Sequence, residues 1–240
     1  QLGHRFRSDS DTEVVLKSYE EWGPDCVERF NGHFAMGIWD GRRKELFLAR
    51  DRFGVKPLYF YNDGAKFLFG SEIKSILEYP GVPRSVCYPA LNQYFTFQNI
   101  LTDETMFEGI KLLPAGCSMT VRLRGDSQPE YKQYWDFRPE PSPDRISVDE
   151  AAEELHRLFT QAVERQLMSD VPVGSYLSGG MDSGSITAVA RQNLGRLATF
   201  TMGFDLSSAS GLELGFDERE KSEAMSNLLK TEHYEMVLHA

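Results

Sequence analysis

The chain of 240 residues is long enough for two modest domains, each with its own hydrophobic core. Its net charge of −10 argues against nucleic acid as the main partner, because phosphate backbones are bound by clusters of Lys and Arg. No apolar run approaches the roughly 20 residues of a membrane-spanning helix, which argues against a membrane partner.

The three cysteines, Cys26, Cys87 and Cys117, are an odd number at wide spacing. This pattern suits neither a disulfide framework nor a zinc site, and it indicates a reducing compartment such as the cytoplasm. The histidines show no metal-ligand spacing. The chain begins at Gln1 without an initiator Met and ends at Ala240 directly after a predicted strand, so we expect it to be a fragment of a longer protein.

The first half predicts helices and antiparallel hairpins. Ser10-Asp-Thr-Glu13 has the pattern of a capping box that opens a helix, and Gly23-Pro24 ends that helix. Two hairpins are predicted, pairing the aromatic-rich runs 34–39 with 45–49 and 58–61 with 66–69. Their turns contain Asp40-Gly41 and Asn62-Asp-Gly64, which supply the backbone conformations that tight hairpins need.

Residues 138–146 hold three prolines in a polar setting and predict a linker between a first domain at 1–137 and a second at 147–240. Ser147-Val-Asp-Glu150 is a second capping-box pattern. An apolar helical stripe follows, at Leu155, Leu158, Phe159, Ala162, Val163 and Leu167.

Strands and helices then alternate. Strands are predicted at 171–177, 197–204 and 233–238, with helices at 182–194 and from Asp217 onward. This alternation is typical of a parallel sheet with right-handed crossovers. The chain therefore joins an antiparallel, β-rich first half to an α/β second half.

Residues 178–184, Ser-Gly-Gly-Met-Asp-Ser-Gly, lie between the predicted strand that ends at Leu177 and the next helix. Ligands of parallel α/β sheets bind beyond the carboxyl ends of the strands. Two glycines let the backbone bend and approach an anion, and the amides of the helix N-terminus add positive potential. The loop therefore predicts a phosphate site to which Ser178 and Ser183 donate hydroxyl hydrogen bonds.

Asp182 would repel a bare phosphate, so it implies a divalent cation or a hydrogen-bonding role within the loop. The loop is not a Walker A motif, because Gly180 and Met181 stand where Lys and Ser or Thr are required. A loop that holds a leaving pyrophosphate fits better than one that serves γ-phosphate transfer. The alternative is a plain flexible turn with Asp182 as a helix N-cap, and the position of the whole string between strand and helix makes it the weaker one.

The segment 169–184 resembles the synthetase domain of the glutamine-hydrolysing asparagine synthetases. Segments 31–40, 49–59, 71–77 and 113–116 resemble the later part of the same family's class II glutaminase domain. The resemblance covers nearly the whole chain in the family's order. It implies a two-domain α/β and α+β protein, in which part of an Ntn-type glutaminase with antiparallel sheets precedes the start of a parallel-sheet ATP-pyrophosphatase domain.

The family's activity is implied as well. ATP with Mg²⁺ adenylates the side-chain carboxylate of aspartate, and ammonia from glutamine displaces AMP to give asparagine. Related enzymes close rings or amidate other carboxylic acids, so the acceptor stays open, and a non-catalytic nucleotide-binding fragment is a further alternative. We expect small-molecule substrates, neither nucleic acid nor membrane as a partner, a cytoplasmic location and, as an additional expectation, a homodimer.

The resemblance assigns functional positions. Those of the ATP-binding loop are Leu177, Ser178, Gly179, Gly180, Asp182 and Ser183. Met202 matches a position that meets the adenine through its backbone, with a plain core methionine as the alternative. Asp11 matches the acidic residue that binds the α-amino group of glutamine, with a helix N-cap as the alternative.

This chain departs from the family's pattern at positions that the family uses in catalysis. The first residue is Gln1, and the family's N-terminal Cys nucleophile is absent from the chain. None of the three cysteines aligns with that nucleophile, so we expect no glutamine hydrolysis by this chain alone. Gly184 replaces the usual second Ser of the loop, and no metal ligand is assigned. The charged segments Arg50-Asp-Arg52 and Glu72-Ile-Lys74 could serve an interface or a channel, but paired structural charges explain them better. Asp217-Glu218 could reach magnesium, and helix capping explains that pair as well.

Overall fold

The computed structural model describes residues 3–122, 128–139, 146–205 and 217–238. The chain divides into two compact units, Gln1–Glu140 and Pro141–Ala240. Most of the predicted linker 138–146 lies outside the described residues, as does Gln1. The first unit contains α1 (Asp11–Trp22), a 3₁₀ helix (Gly23–Arg29), β1 (Ala35–Asp40), β2 (Glu45–Arg50), β3 (Tyr59–Asn62), β4 (Phe67–Gly70), α2 (Ile73–Leu77), α3 (Tyr88–Phe97), β5 (Ile110–Leu112), β6 (Cys117–Arg122) and β7 (Glu130–Gln133).

Two antiparallel sheets build the first unit, in the orders β1-β2-β6-β7 and β4-β3-β5. Both predicted hairpins are confirmed, with Asp40 opposite Glu45 in one and Asn62 opposite Phe67 in the other. Alternate side chains of a strand point to opposite faces. Leu48 of β2 and Phe60 of β3 therefore meet in a core between the sheets, where Met119 joins them.

The outer faces of the two sheets are covered by helices. Phe47 and Ala49 of β2 pack with residues of α1 and the 3₁₀ helix, among them Tyr19, Trp22 and Val27. On the far side, a third core contains Tyr61, Ile76, Val82 and Ile110. The layers are thus helix, sheet, sheet and helix, and the fold class predicted for the first half is confirmed.

Two buried charged residues, Arg50 and Asp51, fix the loop that follows β2. Asp51 is 1% exposed, and its carboxylate accepts backbone N–H bonds from Phe34, Phe53, Val55 and Lys56 at 2.9–3.3 Å. Burial by itself raises the pKa of Asp51, but these N–H donors outweigh it and hold the pKa below its usual value.

Its neighbour Arg50 is 9% exposed and donates to the backbone oxygens of Lys56, Gly54 and Leu113. These partners tie the loop after β2 to the segment after β5. Arg50 and Asp51 therefore have a structural role, but each is bonded to backbone groups, so the predicted pairing of charges is not confirmed for them. Lys74 and Glu72 form an ion pair at the surface.

The second unit contains α4 (Val148–Gln166), β8 (Gly174–Tyr176), α5 (Met181–Asn193), β9 (Ala198–Phe204), α6 (Arg219–Leu229) and β10 (Glu232–Leu238). Its strands form a parallel sheet in the order β10-β9-β8, as the alternation predicts. A core of Val163, Val189, Ala190 and Leu197 joins α4 and α5 to the start of β9. None of the helices in the described ranges is long and apolar enough to cross a membrane.

Helix α4 begins as predicted, because Ser147 and Glu150 form a complete capping box. Its predicted apolar stripe is only partly confirmed. Phe159 and Leu167 pack against the core, but Leu155 is 68% exposed and Leu158 is 47% exposed. The contact with α5 covers a narrower face of the helix than the stripe suggests.

Candidate functional site: the loop after β8

The loop at 178–184 starts from a fixed point at the carboxyl edge of the parallel sheet. Leu177 is 1% exposed, and its N–H donates to the oxygen of Phe200 at 2.9 Å, which extends the pairing of β8 with β9 by one residue. Thr201 Oγ1 donates to the oxygen of Leu177. Both backbone groups of Leu177 are therefore bonded to β9, so the chain leaves the sheet at a defined place.

Two serines close the loop on itself. Ser178 Oγ and Ser183 Oγ lie 3.0 Å apart, and Ser183 Oγ accepts the N–H of Ser178 at 3.1 Å. The N–H of Gly180 donates to Ser178 Oγ at 3.3 Å. The hydroxyls thus set the shape of the turn. A hydroxyl that donates to a phosphate oxygen would give up one of these internal hydrogen bonds in exchange.

The amide groups at the start of α5 form the electropositive feature of the site. Gly180 is the N-cap and has no side-chain capping bond, and the first helical hydrogen bond runs from Gly184 N–H to Gly180 O. In the described part of the chain, no acceptor pairs with the N–H groups of Gly179, Met181, Asp182 or Ser183. Unpaired N–H groups and the helix dipole together favour an anion at this point.

The two loop glycines differ in what surrounds them. Gly179 has φ +74°, and a Cβ atom there would lie 2.5 Å from Lys221 Cβ, so a side chain is excluded by both conformation and space. Gly180 has φ −76°, and a Cβ there would meet only Ser178 Oγ, at 3.3 Å. The Ser178 hydroxyl would have to shift slightly, but no other described atom lies within 4 Å of such a Cβ, and the remaining space adjoins the unpaired amides.

The carboxylate of Asp182 is exposed and makes no hydrogen bond or ion pair with any described residue. It is therefore not an N-cap. Across the same residues there is no group of three or more His, Cys, Asp or Glu that could hold a metal ion. Asp217 accepts the N–H of Arg219 and also pairs with its guanidinium, whereas Glu218, the N-cap of α6, makes no side-chain capping bond. Helix capping is therefore confirmed for Asp217 alone.

Met202 lies in β9, and its side chain is 56% exposed in this chain. Phe200 O accepts its bond from Leu177 on the β8 side, and backbone groups two residues apart on a strand point the same way. The N–H and C=O of Met202 therefore point to the β8 side at a level where β8 has already ended. This backbone edge adjoins the loop.

Asp11 occupies the first turn of α1 and is exposed. The N-cap is Ser10, whose side chain accepts the N–H of Thr12, while Asp11 Oδ1 lies 3.4 Å from Thr12 Oγ1. The predicted capping box is wrong in its second half, because the Glu13 carboxylate accepts bonds from Arg7 and Ser8 instead. Helix capping therefore does not occupy the Asp11 carboxylate.

The three thiols occupy buried or half-buried positions. Cys26 is fully buried, and burial raises its pKa to about 11. Burial also raises the pKa of Cys117, and Cys87 is buried. These residues are small apolar side chains, as the sequence indicates.

Polar residues behind the loop were missed by sequence reasoning. Thr187 Oγ1 donates to Ser183 O at 2.7 Å and lies 2.9 Å from Ser175 Oγ, so β8 and α5 are joined one layer below the loop. Thr187 is 0% exposed and Thr201 is 7% exposed. The sequence does carry a signal for these residues, because each is a threonine at an inward-facing position of a largely apolar helix or strand.

Family models match both units. A glutamine amidotransferase domain matches residues 1–135, and an asparagine synthase domain matches residues 154–240. Among curated proteins, asparagine synthetase (glutamine-hydrolyzing) 3 of Bacillus subtilis is 38% identical, with 98% of this chain and 39% of that protein aligned. A putative asparagine synthetase of Mycobacterium tuberculosis is 34% identical, with 100% and 36% aligned. Amidase chyE of Penicillium rubens is 33% identical, with 77% and 27% aligned. The chain thus spans less than half the length of these relatives.

Proposed function

The chain belongs to the asparagine synthetase family, and we propose on this basis that it takes part in ATP-dependent amide synthesis with glutamine as the nitrogen source. In the proposed reaction, ATP adenylates the side-chain carboxylate of aspartate, and ammonia from glutamine displaces AMP. Asparagine, AMP, pyrophosphate and the glutamate left by hydrolysis of glutamine are the products. The observation that carries the proposal is the set of unpaired N–H groups of Gly179 and of residues 181–183, which lie beside the space over Gly180.

The loop suits a leaving pyrophosphate. Its amides can hold phosphate oxygens without neutralising them fully, and no Lys of the loop is placed to follow a transferred γ-phosphate. We assign the phosphates to Ser178, Gly179, Gly180 and Ser183. The backbone edge at Met202 is assigned to the adenosine part, because its N–H and C=O face the side where β8 has ended. Leu177, whose own backbone groups are bonded to β9, is assigned to the same part of the site because it lies beside this edge.

The site can hold Mg²⁺ only when the nucleotide is also bound, because the protein supplies too few ligands by itself. Asp182 supplies one carboxylate, and Mg²⁺ in nucleotide sites takes one or two protein carboxylates plus phosphate oxygens and water. When bound, the ion would supply positive charge to the departing pyrophosphate. The unpaired state of Asp182 supports the assignment, since no described residue competes for it.

We expect Asp182→Asn to weaken Mg·ATP binding about tenfold, because a neutral amide is a poor magnesium ligand. Binding of magnesium-free pyrophosphate should be unchanged or tighter, since a negative charge has been removed. Calorimetric titrations with and without Mg²⁺ give both numbers. The matched control is Asp149→Asn, an exposed first-turn acid of α4. Equal losses with and without Mg²⁺ would contradict the magnesium role.

For the first unit we propose that Asp11 binds the α-amino group of glutamine. Its carboxylate is exposed and only weakly engaged by Thr12. We expect Asp11→Asn to change the free energy of unfolding by less than about 0.5 kcal/mol, as for other surface substitutions. Glutamine should raise the thermal midpoint of the wild type and of the control Asp9→Asn, but not of Asp11→Asn. A glutamine response that survives in Asp11→Asn would refute the assignment.

The whole reaction is tested on the complete product of the gene. With ATP, Mg²⁺, aspartate and glutamine, we expect asparagine, AMP and pyrophosphate in equal amounts. Release of ADP would exclude adenylation. If pyrophosphate appears only with another carboxylic acid, the acceptor is different and the adenylating chemistry stands.

We propose a cytoplasmic location, which the three free cysteines support. We also propose that the protein forms a homodimer.

A further inference from the structure

The first turn of α6 lies directly against the phosphate loop. A Cβ atom at Gly179 would lie 2.5 Å from Lys221 Cβ, 2.9 Å from the Lys221 carbonyl carbon and 3.0 Å from Ser222 N. One helical turn further on, Met225 Cε would be 3.0 Å from a Cβ atom at Gly184. Two positions without side chains therefore let α6 pack closely against the loop and α5. The side chain of Lys221 starts at the wall of the loop.

Lys221 is exposed, and its ammonium group pairs with no described residue. Three arginines of this unit have ion-pair partners, since Arg157 pairs with Glu154, Arg196 with Glu232 and Arg219 with Asp217. Arg165 and Lys230 resemble Lys221 in forming no ion pair with a described residue. The flexible stem of a lysine carries its ammonium about 6 Å from the backbone. From this root, the ammonium can reach an anion held over the amides of the loop.

The loop itself offers little full charge to such an anion. Its N–H groups and the helix dipole supply partial charges, and Asp182 adds a negative charge. The terminal phosphates of a nucleotide carry several negative charges, and point charges such as a lysine ammonium are common phosphate ligands. A basic side chain from outside the loop would correct this imbalance.

We propose that Lys221 is a phosphate-binding residue that supplies to the terminal phosphates the positive charge missing from the loop. This inference rests on the proposed nucleotide function of the loop. It assigns to α6 the role that a lysine within the loop has in Walker A sites. Because α6 packs against Gly179, the ammonium group of Lys221 is held within reach of the terminal phosphates.

The test compares the wild type with Lys221→Gln, Lys221→Arg and the control Lys230→Gln, which removes a lysine from the other end of α6. Each variant is titrated calorimetrically with Mg·ATP, Mg·pyrophosphate and AMP. We expect Lys221→Gln to weaken both pyrophosphate-containing ligands about tenfold, with AMP unchanged. Lys221→Arg should retain most of the affinity, and Lys230→Gln should match the wild type. Thermal unfolding confirms that each variant is folded.

The outcomes separate the two proposals. If the wild type binds Mg·ATP and Lys221→Gln binds it equally well, the inference about Lys221 is wrong and the nucleotide function stands. If AMP affinity falls together with that for ATP, Lys221 acts on the shape of the site, and the inference is again wrong. If the folded wild type binds none of the three ligands, both proposals fail.

Discussion

Replacing Gly180 by valine is expected to weaken Mg·ATP binding at least about 100-fold, or about 2.7 kcal/mol, while the second unit stays folded. Gly180 has φ −76°, which valine tolerates, and a Cβ there would meet only Ser178 Oγ at 3.3 Å. The added methyl groups would fill the open space beside the unpaired amides. Calorimetry measures the affinity, and thermal unfolding measures the fold.

Gly195→Val is the matched control, because a Cβ atom at Gly195 has no atom of the described structure within 4 Å. Gly179 is unsuitable as a probe. Its positive φ and the contact with Lys221 would destabilise the unit along with the site. Affinity of Gly180→Val within threefold of the wild type would mean that phosphates do not sit over Gly180.

Replacing Asp51 by alanine is expected to destabilise the first unit by about 3 kcal/mol or more, because the partly buried N–H groups of four residues would lose their shared acceptor. The buried Arg50 would also lose a nearby negative charge that favours its charged form. Chemical denaturation followed by tryptophan fluorescence measures the change. Asp136→Ala, which removes an exposed acid of the same unit, serves as the control and should cost less than about 0.5 kcal/mol.

The same residue predicts a pH dependence. The pKa of Asp51 is lowered in the folded state, so its contribution is fully present above the unfolded pKa of about 3.9. It is lost as the pH falls through the lower folded value. The wild type should therefore lose stability below about pH 4 more steeply than Asp51→Ala. Parallel acid limbs for the two proteins would contradict the proposed hydrogen-bonding role of the carboxylate.

Local patterns predicted most of the fold, because hairpin turns and helix caps are set by neighbouring residues. The Asp40-Gly41 turn and the Ser147 capping box are examples. The wrong predictions concern features that depend on contacts with other parts of the chain rather than on the local sequence pattern. The predicted strand at 171–177 is shorter in the structure, since β9 begins opposite Gly174 and Val171 is left 69% exposed. Likewise, Glu13 prefers the backbone of Arg7 and Ser8 to that of Ser10.

The candidate site shows the same division. The glycines, serines and helix start of the loop are contiguous, so the sequence alone could place an anion there. The approach of α6 is not local, and nothing near Gly179 in the sequence indicates that Lys221 lies against it. The backbone edge at Met202 likewise depends on where β8 ends, which is a property of the sheet.

Strands β2 and β3 connect the three hydrophobic cores of the first unit into one cooperative system. In β2, Leu48 enters the core between the sheets while Phe47 enters the core under α1. In β3, Phe60 and Tyr61 divide in the same way between the central core and the core under α2. Loosening any single layer therefore removes support from the next, so we infer that this unit unfolds as a whole rather than one layer at a time.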